Sequence, residues 1–142
     1  MIDIGVVGCG NWSTKIINEI NKNNKFNLTS IVCRKQKKIN TRLKIFSSVD
    51  KMIDSNINNS IYVAAQPSLN LKVIKLLKNN NISLILEKPT SNSLKNLKEL
   101  QKIVKNNNLI VYPNLTNYFS ETFIELKKII KNNYKDINEI II

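Results

Sequence analysis

The sequence of 142 residues contains no histidine. Histidine is the commonest metal ligand and the side chain whose pKa lies nearest to neutral pH. Its absence excludes histidine metal sites and histidine general bases. Cysteine is also scarce: the two cysteines, Cys9 and Cys33, fit no metal-ligand spacing and require no oxidising compartment. We therefore expect no bound metal.

Glycine, proline and long apolar runs are scarce as well. The chain has three glycines and three prolines, and 42% of its residues are hydrophobic, which is typical of a packed globular protein. No apolar run reaches the roughly 18 residues that a membrane-spanning helix needs. The N-terminal stretch MIDIGVVGCG lacks the basic segment that opens a signal peptide. We therefore expect a cytoplasmic protein with no membrane partner.

Acidic residues are outnumbered by basic ones, 10 to 22, which gives a formal net charge of +12. Such an excess is one mark of nucleic-acid-binding proteins. The lysines, however, are scattered over the polar faces of predicted helices, and aromatic residues make up only 6% of the chain, too few for a base-stacking surface. We therefore predict no nucleic-acid partner. The one dense basic cluster is RKQKK at residues 34–38.

Apolar runs alternate with apolar residues at helical spacing along the chain. Strands are predicted at residues 2–7, 26–33, 43–46, 60–65, 82–86 and 109–112. Helices are predicted at residues 13–23, 48–54, 68–78, 93–105 and 120–131. Either Ser91 or Ser93 would cap the fourth helix. This alternation predicts an α/β fold with a Rossmann-type, doubly wound parallel sheet.

The first strand runs into GVVGCGNWS, which has the form of a strand end, a glycine turn and a helix start. Gly8 would permit the tight turn, and Gly10 would allow the close approach of a pyrophosphate. The amides of Asn11 and Trp12 would face that anion at the helix N-terminus. Ser13 replaces the third glycine of the dinucleotide-binding fingerprint, and the residues would also fit a plain strand-to-helix turn. Because the stretch opens the first strand–helix–strand unit, we predict dinucleotide binding.

The end of the second strand lacks the acid that usually binds the ribose 2′-hydroxyl of NAD, about twenty residues beyond the glycine turn. Cys33 stands there, followed by Arg34 and Lys35. A carboxylate would repel a 2′-phosphate, whereas a guanidinium would bind it with paired hydrogen bonds. We therefore predict NADP as the cofactor, with NAD as the alternative, and Arg34 as the main contact with Lys35 secondary. The other interpretation of RKQKK is a solvated basic loop.

Two opposite charges, Glu87 and Lys88, stand between the strand ISLIL and Pro89. Ligands of a doubly wound sheet bind outside the carboxyl ends of its strands, and these charges follow such an end. Lys88 could meet the nicotinamide ribose and a substrate hydroxyl, with Glu87 fixing its orientation. Pro89 could redirect the chain through a cis peptide bond. The alternative is an ordinary surface ion pair.

Three stretches resemble the N-terminal domain of the Gfo/Idh/MocA family of NAD(P)-dependent sugar oxidoreductases: GVVGCGNW, YVAAQPSLN and LILEKPTSNSLKNLKEL. The resemblance covers essentially the whole chain. It implies that Lys88 and Glu87 are the catalytic residues, that the Lys88–Pro89 bond is cis, and that Pro67 lies beside the nicotinamide. The cofactor-binding residues predicted from the motifs and the resemblance together are Gly8, Gly10, Asn11, Trp12, Cys33, Arg34, Lys35, Ala65, Pro67, Asn70, Glu87 and Pro89.

Two departures from the family pattern bear on activity. Asn70 stands where the family often has a histidine. The family's acid–base residues also lie in a second α/β domain, whereas this chain stops at INEIII, where the first strand of that domain would begin. We predict a Rossmann domain at residues 1–118, and at residues 119–142 a crossover helix and the first strand of an absent or truncated domain. The chain would then be a fragment; the alternatives are a subunit completed by a partner and a tail that folds back.

These features predict the cofactor half of an enzyme, an NAD(P)-dependent oxidoreductase. It would transfer a hydride between the nicotinamide and a sugar-like substrate, either a nucleotide sugar or a cyclitol. The alternative is a non-catalytic NAD(P)-binding module or subunit. Beside the substrate, the expected partners are a second copy of the chain or a protein that supplies the missing domain.

Overall fold

One parallel sheet organises the chain, of which the computed structural model describes residues 1–33, 43–78 and 81–133. Its six strands follow the order β3-β2-β1-β4-β5-β6. The chain therefore runs outward from β1 to one edge and then resumes beside β1, which is the predicted doubly wound order. The strands are β1 (Ile2–Val7), β2 (Phe26–Val32), β3 (Lys44–Phe46), β4 (Ser60–Val63), β5 (Ser83–Leu86) and β6 (Val111–Pro113).

The described residues contain five α-helices, all close to the predicted limits. They are α1 (Asn11–Lys22), α2 (Val49–Asp54), α3 (Asn70–Leu77), α4 (Leu94–Asn106) and α5 (Glu121–Asn133). Ser48 caps α2 by accepting a hydrogen bond from the amide of Lys51, and Ser93 caps α4 by accepting one from the amide of Asn96. Ser91 instead bonds to the backbone of Ser93. None of these helices is long and apolar enough to cross a membrane.

The core has two layers, one on each face of the sheet, because successive residues of a strand point to opposite faces. On β1, Val6 belongs to the layer packed by α1, and Val7 belongs to the layer packed by α2, α3 and α4. On β4, Tyr62 lies in the first layer and Val63 in the second. Burial on both faces holds the carboxyl ends of the central strands in fixed relative positions.

The last described part of the chain is more exposed to solvent than the rest of the sheet and its helices. The 3₁₀ turn Thr116–Phe119 follows β6, and α5 packs mainly against this turn. None of the described side chains of α5 is buried. Five apolar side chains of this part are exposed, and we refer to them together as the β6–α5 surface: Ile110, Tyr112, Leu115, Phe119 and Ile124.

Candidate functional site

The carboxyl ends of β1, β4 and β5 lie along one edge of the sheet, because these strands are parallel and adjacent. The strand order reverses between β1 and β4, and open α/β sheets bind ligands at such a switch point. A cavity of about 610 Å³ opens there, a volume typical of small-molecule sites. Three of the predicted cofactor-binding residues line it: Gly8, Gly10 and Ala65.

Gly8 turns the chain between β1 and α1 in a conformation that other residues rarely adopt, with a φ angle of 124°. A Cβ atom here would lie 2.5 Å from the carbonyl oxygen of Ala64 and 2.7 Å from the hydroxyl oxygen of Ser13. Both distances are far too short for non-bonded atoms, so the turn requires glycine. The amide of Gly8 donates to the carbonyl of Val32 at 3.0 Å, which fixes the turn to the end of β2.

Gly10 faces open space. A Cβ atom there would meet no atom of the described residues within 4 Å, so the fold itself does not require glycine at this position. Gly10 is also the N-cap of α1 and offers no side chain to the amides of the first turn. The amides of Asn11 and Trp12 therefore remain for an anion, and the missing Cβ leaves room for a phosphate to approach them.

Ser13 occupies the third position of the glycine fingerprint and is 1% exposed. Its hydroxyl donates to the carbonyl oxygen of Ala64 at 3.2 Å. This hydrogen bond compensates for the burial of the hydroxyl and joins α1 to the end of β4. Serine in place of the third glycine therefore provides a contact between α1 and the end of β4.

The carboxylate of Glu87, directly after β5, is turned towards the neighbouring strand ends. Its Oε1 accepts hydrogen bonds from the Tyr62 hydroxyl and from Asn114 Nδ2, the latter at 2.6 Å. The Trp12 indole also helps to hold the pKa of this carboxylate below its ordinary value. Glu87 Oε2 accepts from the amide of Lys88 at 3.2 Å. One carboxylate thus connects β4 and the residue that follows β6.

Opposing effects act on the pKa of Glu87. Partial burial raises the pKa, but the hydrogen bonds that the carboxylate accepts stabilise its ionised form and hold the pKa below its ordinary value. The pKa of Tyr62 is raised, first by burial and then by the hydrogen bond and negative charge of Glu87. At neutral pH the carboxylate is therefore ionised and the Tyr62 hydroxyl protonated.

Sequence reasoning missed both Tyr62 and Asn114. Tyr62 lies within the apolar run SIYVAA, where its ring is indistinguishable from a core side chain. Asn114 is one of many asparagines in the sequence. The only available signal was positional, since both residues lie near the carboxyl ends of strands that flank β5.

Lys88 lies on the same rim with an exposed side chain, and the Lys88–Pro89 peptide bond is cis, as the resemblance implied. The surface ion pair that was the alternative interpretation is not seen: among the described residues, the hydrogen bond between Glu87 and Lys88 uses the lysine backbone amide. Glu87 therefore positions the backbone of Lys88 and leaves the ammonium group available to a bound molecule.

Asn70 is 1% exposed and lies behind this rim. Its Nδ2 donates to the carbonyl oxygen of Thr90 at 3.0 Å, which holds the segment after Pro89 against α3. Its Oδ1 has no hydrogen-bond partner within the described residues. Pro67 begins the 3₁₀ turn Pro67–Leu69 between β4 and α3. Neither residue lines the cavity at the glycine turn, so their contacts with a cofactor stay predictions.

Cys9 and Cys33 form a disulfide bond, with their Cα atoms 5.4 Å apart. Sequence reasoning did not anticipate this bond, although a signal was present: Cys9 comes after β1 and Cys33 after β2, which are neighbouring strands. Cys9 lines the cavity, whereas Cys33 is 5% exposed. Arg34 and Lys35, the predicted contacts of a 2′-phosphate, lie outside the described residues.

The strand order, the glycine turn with its uncapped helix and the cavity at the switch point define a dinucleotide-binding Rossmann domain. The model of the Gfo/Idh/MocA family, described as "Oxidoreductase family, NAD-binding Rossmann fold", matches residues 2–115. The chain belongs to this family. No curated protein matches it.

Solved structures share the fold. Scyllo-inositol dehydrogenase from Lactobacillus casei, with bound cofactor NAD(H) and scyllo-inositol, superposes with a TM-score of 0.85 at 18% identity, over 94% of this chain and 42% of that one. Myo-inositol 2-dehydrogenase from Lactobacillus plantarum gives a TM-score of 0.83 at 18% identity, over 99% of this chain and 43% of that one. This chain thus spans less than half the length of either enzyme.

Proposed function

We propose that the chain is the cofactor-binding part of an oxidoreductase that transfers a hydride between a nicotinamide cofactor and a sugar-like substrate, a cyclitol or a nucleotide sugar. One observation carries the proposal: β1, β4 and β5 are parallel and adjacent, so that the glycine turn after β1 and the Glu-Lys-Pro segment after β5 lie on one rim. The scyllo-inositol bound to a structural neighbour supports the cyclitol class.

One end of the rim would hold the phosphates. Gly8 and Gly10 shape the turn, and the amides of the first turn of α1 would bind the pyrophosphate. We propose NADP as the preferred cofactor, because Cys33 brings no carboxylate to the end of β2 and Arg34 follows it in the sequence. Lys35 would assist Arg34, and NAD is the alternative.

The other end of the rim would hold the reacting groups. Bound NAD(P) supplies the carbon that accepts or donates the hydride. Lys88 would orient the reacting oxygen, and its positive charge would stabilise negative charge developing there. Glu87, ionised at neutral pH, would keep the Lys88 backbone in place, and Pro67 would flank the nicotinamide. Because Lys88 is exposed, exclusion of water from this end requires the substrate or further protein.

Gly10→Ala tests the cofactor site without disturbing the fold. Since a Cβ atom at Gly10 would meet no atom of the described residues within 4 Å, the variant should keep its free energy of unfolding within about 1 kcal/mol. The added methyl group should obstruct the pyrophosphate and weaken NADPH binding by about tenfold or more. Titration of NADPH fluorescence gives both dissociation constants, and equal values would contradict the site. Gly8→Ala is the contrasting variant, because its Cβ would strike Ala64 and both stability and binding should fall.

Arg34→Ala tests the choice of cofactor. The variant should lose the preference for NADPH over NADH, with NADPH affinity falling about tenfold and NADH affinity nearly unchanged, since only NADPH carries the 2′-phosphate. Lys38→Ala, which removes one charge from the same basic cluster, is the matched control and should change both affinities little. Tighter binding of NADH than NADPH by the wild-type chain would overturn the NADP assignment.

The second candidate function is a non-catalytic NAD(P)-binding module or subunit. It is favoured by the exposed apolar side chains of the β6–α5 surface. In both candidates we propose residues 1–118 as the Rossmann domain and residues 119–142 as the start of a connection to further protein. Turnover of scyllo-inositol with NADP or NAD by the isolated chain would exclude this candidate. Cofactor binding without turnover would favour it.

A further inference from the structure

The disulfide between Cys9 and Cys33 lies at the proposed cofactor site. It joins the residue between Gly8 and Gly10 to the residue that ends the second strand. The Cα separation of 5.4 Å is within the range in which two cysteines bridge without movement of the backbone. The sequence contains no third cysteine, so exchange of the bridge within the chain is impossible.

We propose that Cys9 and Cys33 form a reversible thiol–disulfide site that lowers the affinity of the chain for NAD(P) when it is oxidised. The reacting partner would be a low-molecular-weight disulfide of the glutathione class. This inference rests on the proposed dinucleotide site, because its effect is exerted on that ligand.

The exposures of the two cysteines set the order of the reaction. Cys9 is half-buried and lines the cavity, whereas Cys33 is buried. The Cys9 thiolate would therefore attack the small disulfide, forming a mixed disulfide and releasing one thiol. The Cys33 thiolate would then attack the Cys9 sulfur and release the second thiol. The protein loses two protons and two electrons, and the small disulfide gains them and is reduced to two thiols.

The position of the bridge explains its expected effect on the ligand. In dinucleotide sites the residue at the end of the second strand contacts the adenosine ribose, and Cys33 holds that position here. In the reduced chain its thiol can hydrogen-bond to a ribose hydroxyl, whereas in the bridge both sulfurs are committed to each other. The bridge also ties Cys9 to β2, in addition to the bond between the Gly8 amide and the Val32 carbonyl. The oxidised turn can then adjust less to an incoming pyrophosphate.

A purely structural disulfide is the competing explanation. Such a bridge would raise the free energy of unfolding by constraining the unfolded chain, and it would leave the affinity for a ligand unchanged. The measurement that separates the two is therefore a dissociation constant rather than a melting temperature.

The experiment compares the full chain in its two oxidation states. One sample is reduced with a dithiol, the other is treated with glutathione disulfide, and mass spectrometry confirms the loss of two hydrogens without an attached glutathione. The dissociation constants of NADPH and NADH are then measured by fluorescence titration. We expect the oxidised sample to bind about tenfold more weakly, a size usual for coupling between two sites. Renewed reduction should restore the affinity.

Cys9→Ser provides the matched control, because the variant sequence holds a single cysteine, so no bridge can form within the chain. The variant treated with glutathione disulfide should bind NADPH as it does after reduction. Equal affinities of the two wild-type samples, or tighter binding by the oxidised one, would overturn the proposal. If neither sample binds NADPH or NADH, the proposed dinucleotide site is wrong, and this proposal falls with it. That outcome differs from equal affinities of the two samples, in which the dinucleotide site stands and only the effect of the bridge is absent. In both cases the mass measurement shows whether the bridge has closed.

Discussion

The centre of the sheet and its β6 end differ in how their apolar residues are covered. At the centre, Ile61 and Val63 of β4 are 0% exposed, and both faces carry core side chains. At the other end, Tyr112 of β6 is 62% exposed and Phe119 is 74% exposed. The glycine turn follows β1, a strand of the buried centre. Asn114, which binds Glu87, lies in sequence between the exposed Tyr112 and Leu115.

This difference separates two tasks of the candidate site. Binding a dinucleotide requires a turn held in one conformation, and the covered centre provides it through Gly8 and its contacts with Ala64 and Val32. Enclosing a substrate requires protein around Lys88, whose side chain is exposed, and the described residues from Ile110 onward also leave large apolar side chains exposed. The comparison therefore predicts that matched substitutions act strongly at the centre and weakly at the β6–α5 surface.

The largest contrast is expected for a pair of isoleucines. Ile74 on α3 is 0% exposed and Ile124 on α5 is 45% exposed. Ile74→Ala should lower the free energy of unfolding by about 2–5 kcal/mol, because it leaves a cavity in the core. Ile124→Ala should change it by less than about 0.5 kcal/mol. Urea unfolding followed by circular dichroism measures both, and similar losses would show that α5 is packed as firmly as α3.

A smaller contrast is expected for two tyrosines that each make one charged hydrogen bond. The buried Tyr62 hydroxyl donates to Glu87, and the exposed Tyr118 hydroxyl accepts from Lys127 Nζ at 2.7 Å. Tyr62→Phe should cost about 1–3 kcal/mol, the usual worth of a hydrogen bond to a charged group. Tyr118→Phe should cost less than about 0.5 kcal/mol, because water replaces the lost contact. The prediction fails if the two variants unfold at the same urea concentration.

The pH dependence of stability tests the same tyrosine independently. Folding raises the pKa of Tyr62 above that of an unfolded tyrosine, which is about 10. The stabilisation is therefore complete below about pH 10 and is lost as the pH rises through the folded pKa. Above about pH 10, the free energy of unfolding should fall more steeply for the wild-type chain than for Tyr62→Phe. Because both chains carry the same lysines, the difference isolates the tyrosine, and parallel curves would contradict the assignment.

Local sequence predicted the parts of the molecule that depend on local interactions. The periodicity identified every strand of the described sheet, and the glycine turn was placed correctly because Gly8 serves a turn that few other residues allow. Leu94 shows the limit of local sequence: it is a large apolar residue in the first turn of α4, yet it is 68% exposed. The Glu87 network and the Cys9–Cys33 bond depend on which strands become neighbours, and residues distant in sequence meet there only after the sheet has formed.

The smallest effect on stability is expected for Phe119→Ser on the β6–α5 surface. Phe119 is 74% exposed and makes an edge-to-face contact with the Tyr118 ring, with ring centroids 5.6 Å apart. The free energy of unfolding should change by less than about 0.5 kcal/mol. Self-association should nevertheless fall, because the variant removes the most exposed aromatic ring among the described residues. Sedimentation velocity at increasing protein concentration measures this. An unchanged sedimentation profile together with a loss of stability would mean that the ring is part of the core. The contrast between the centre of the sheet and its β6 end would then disappear.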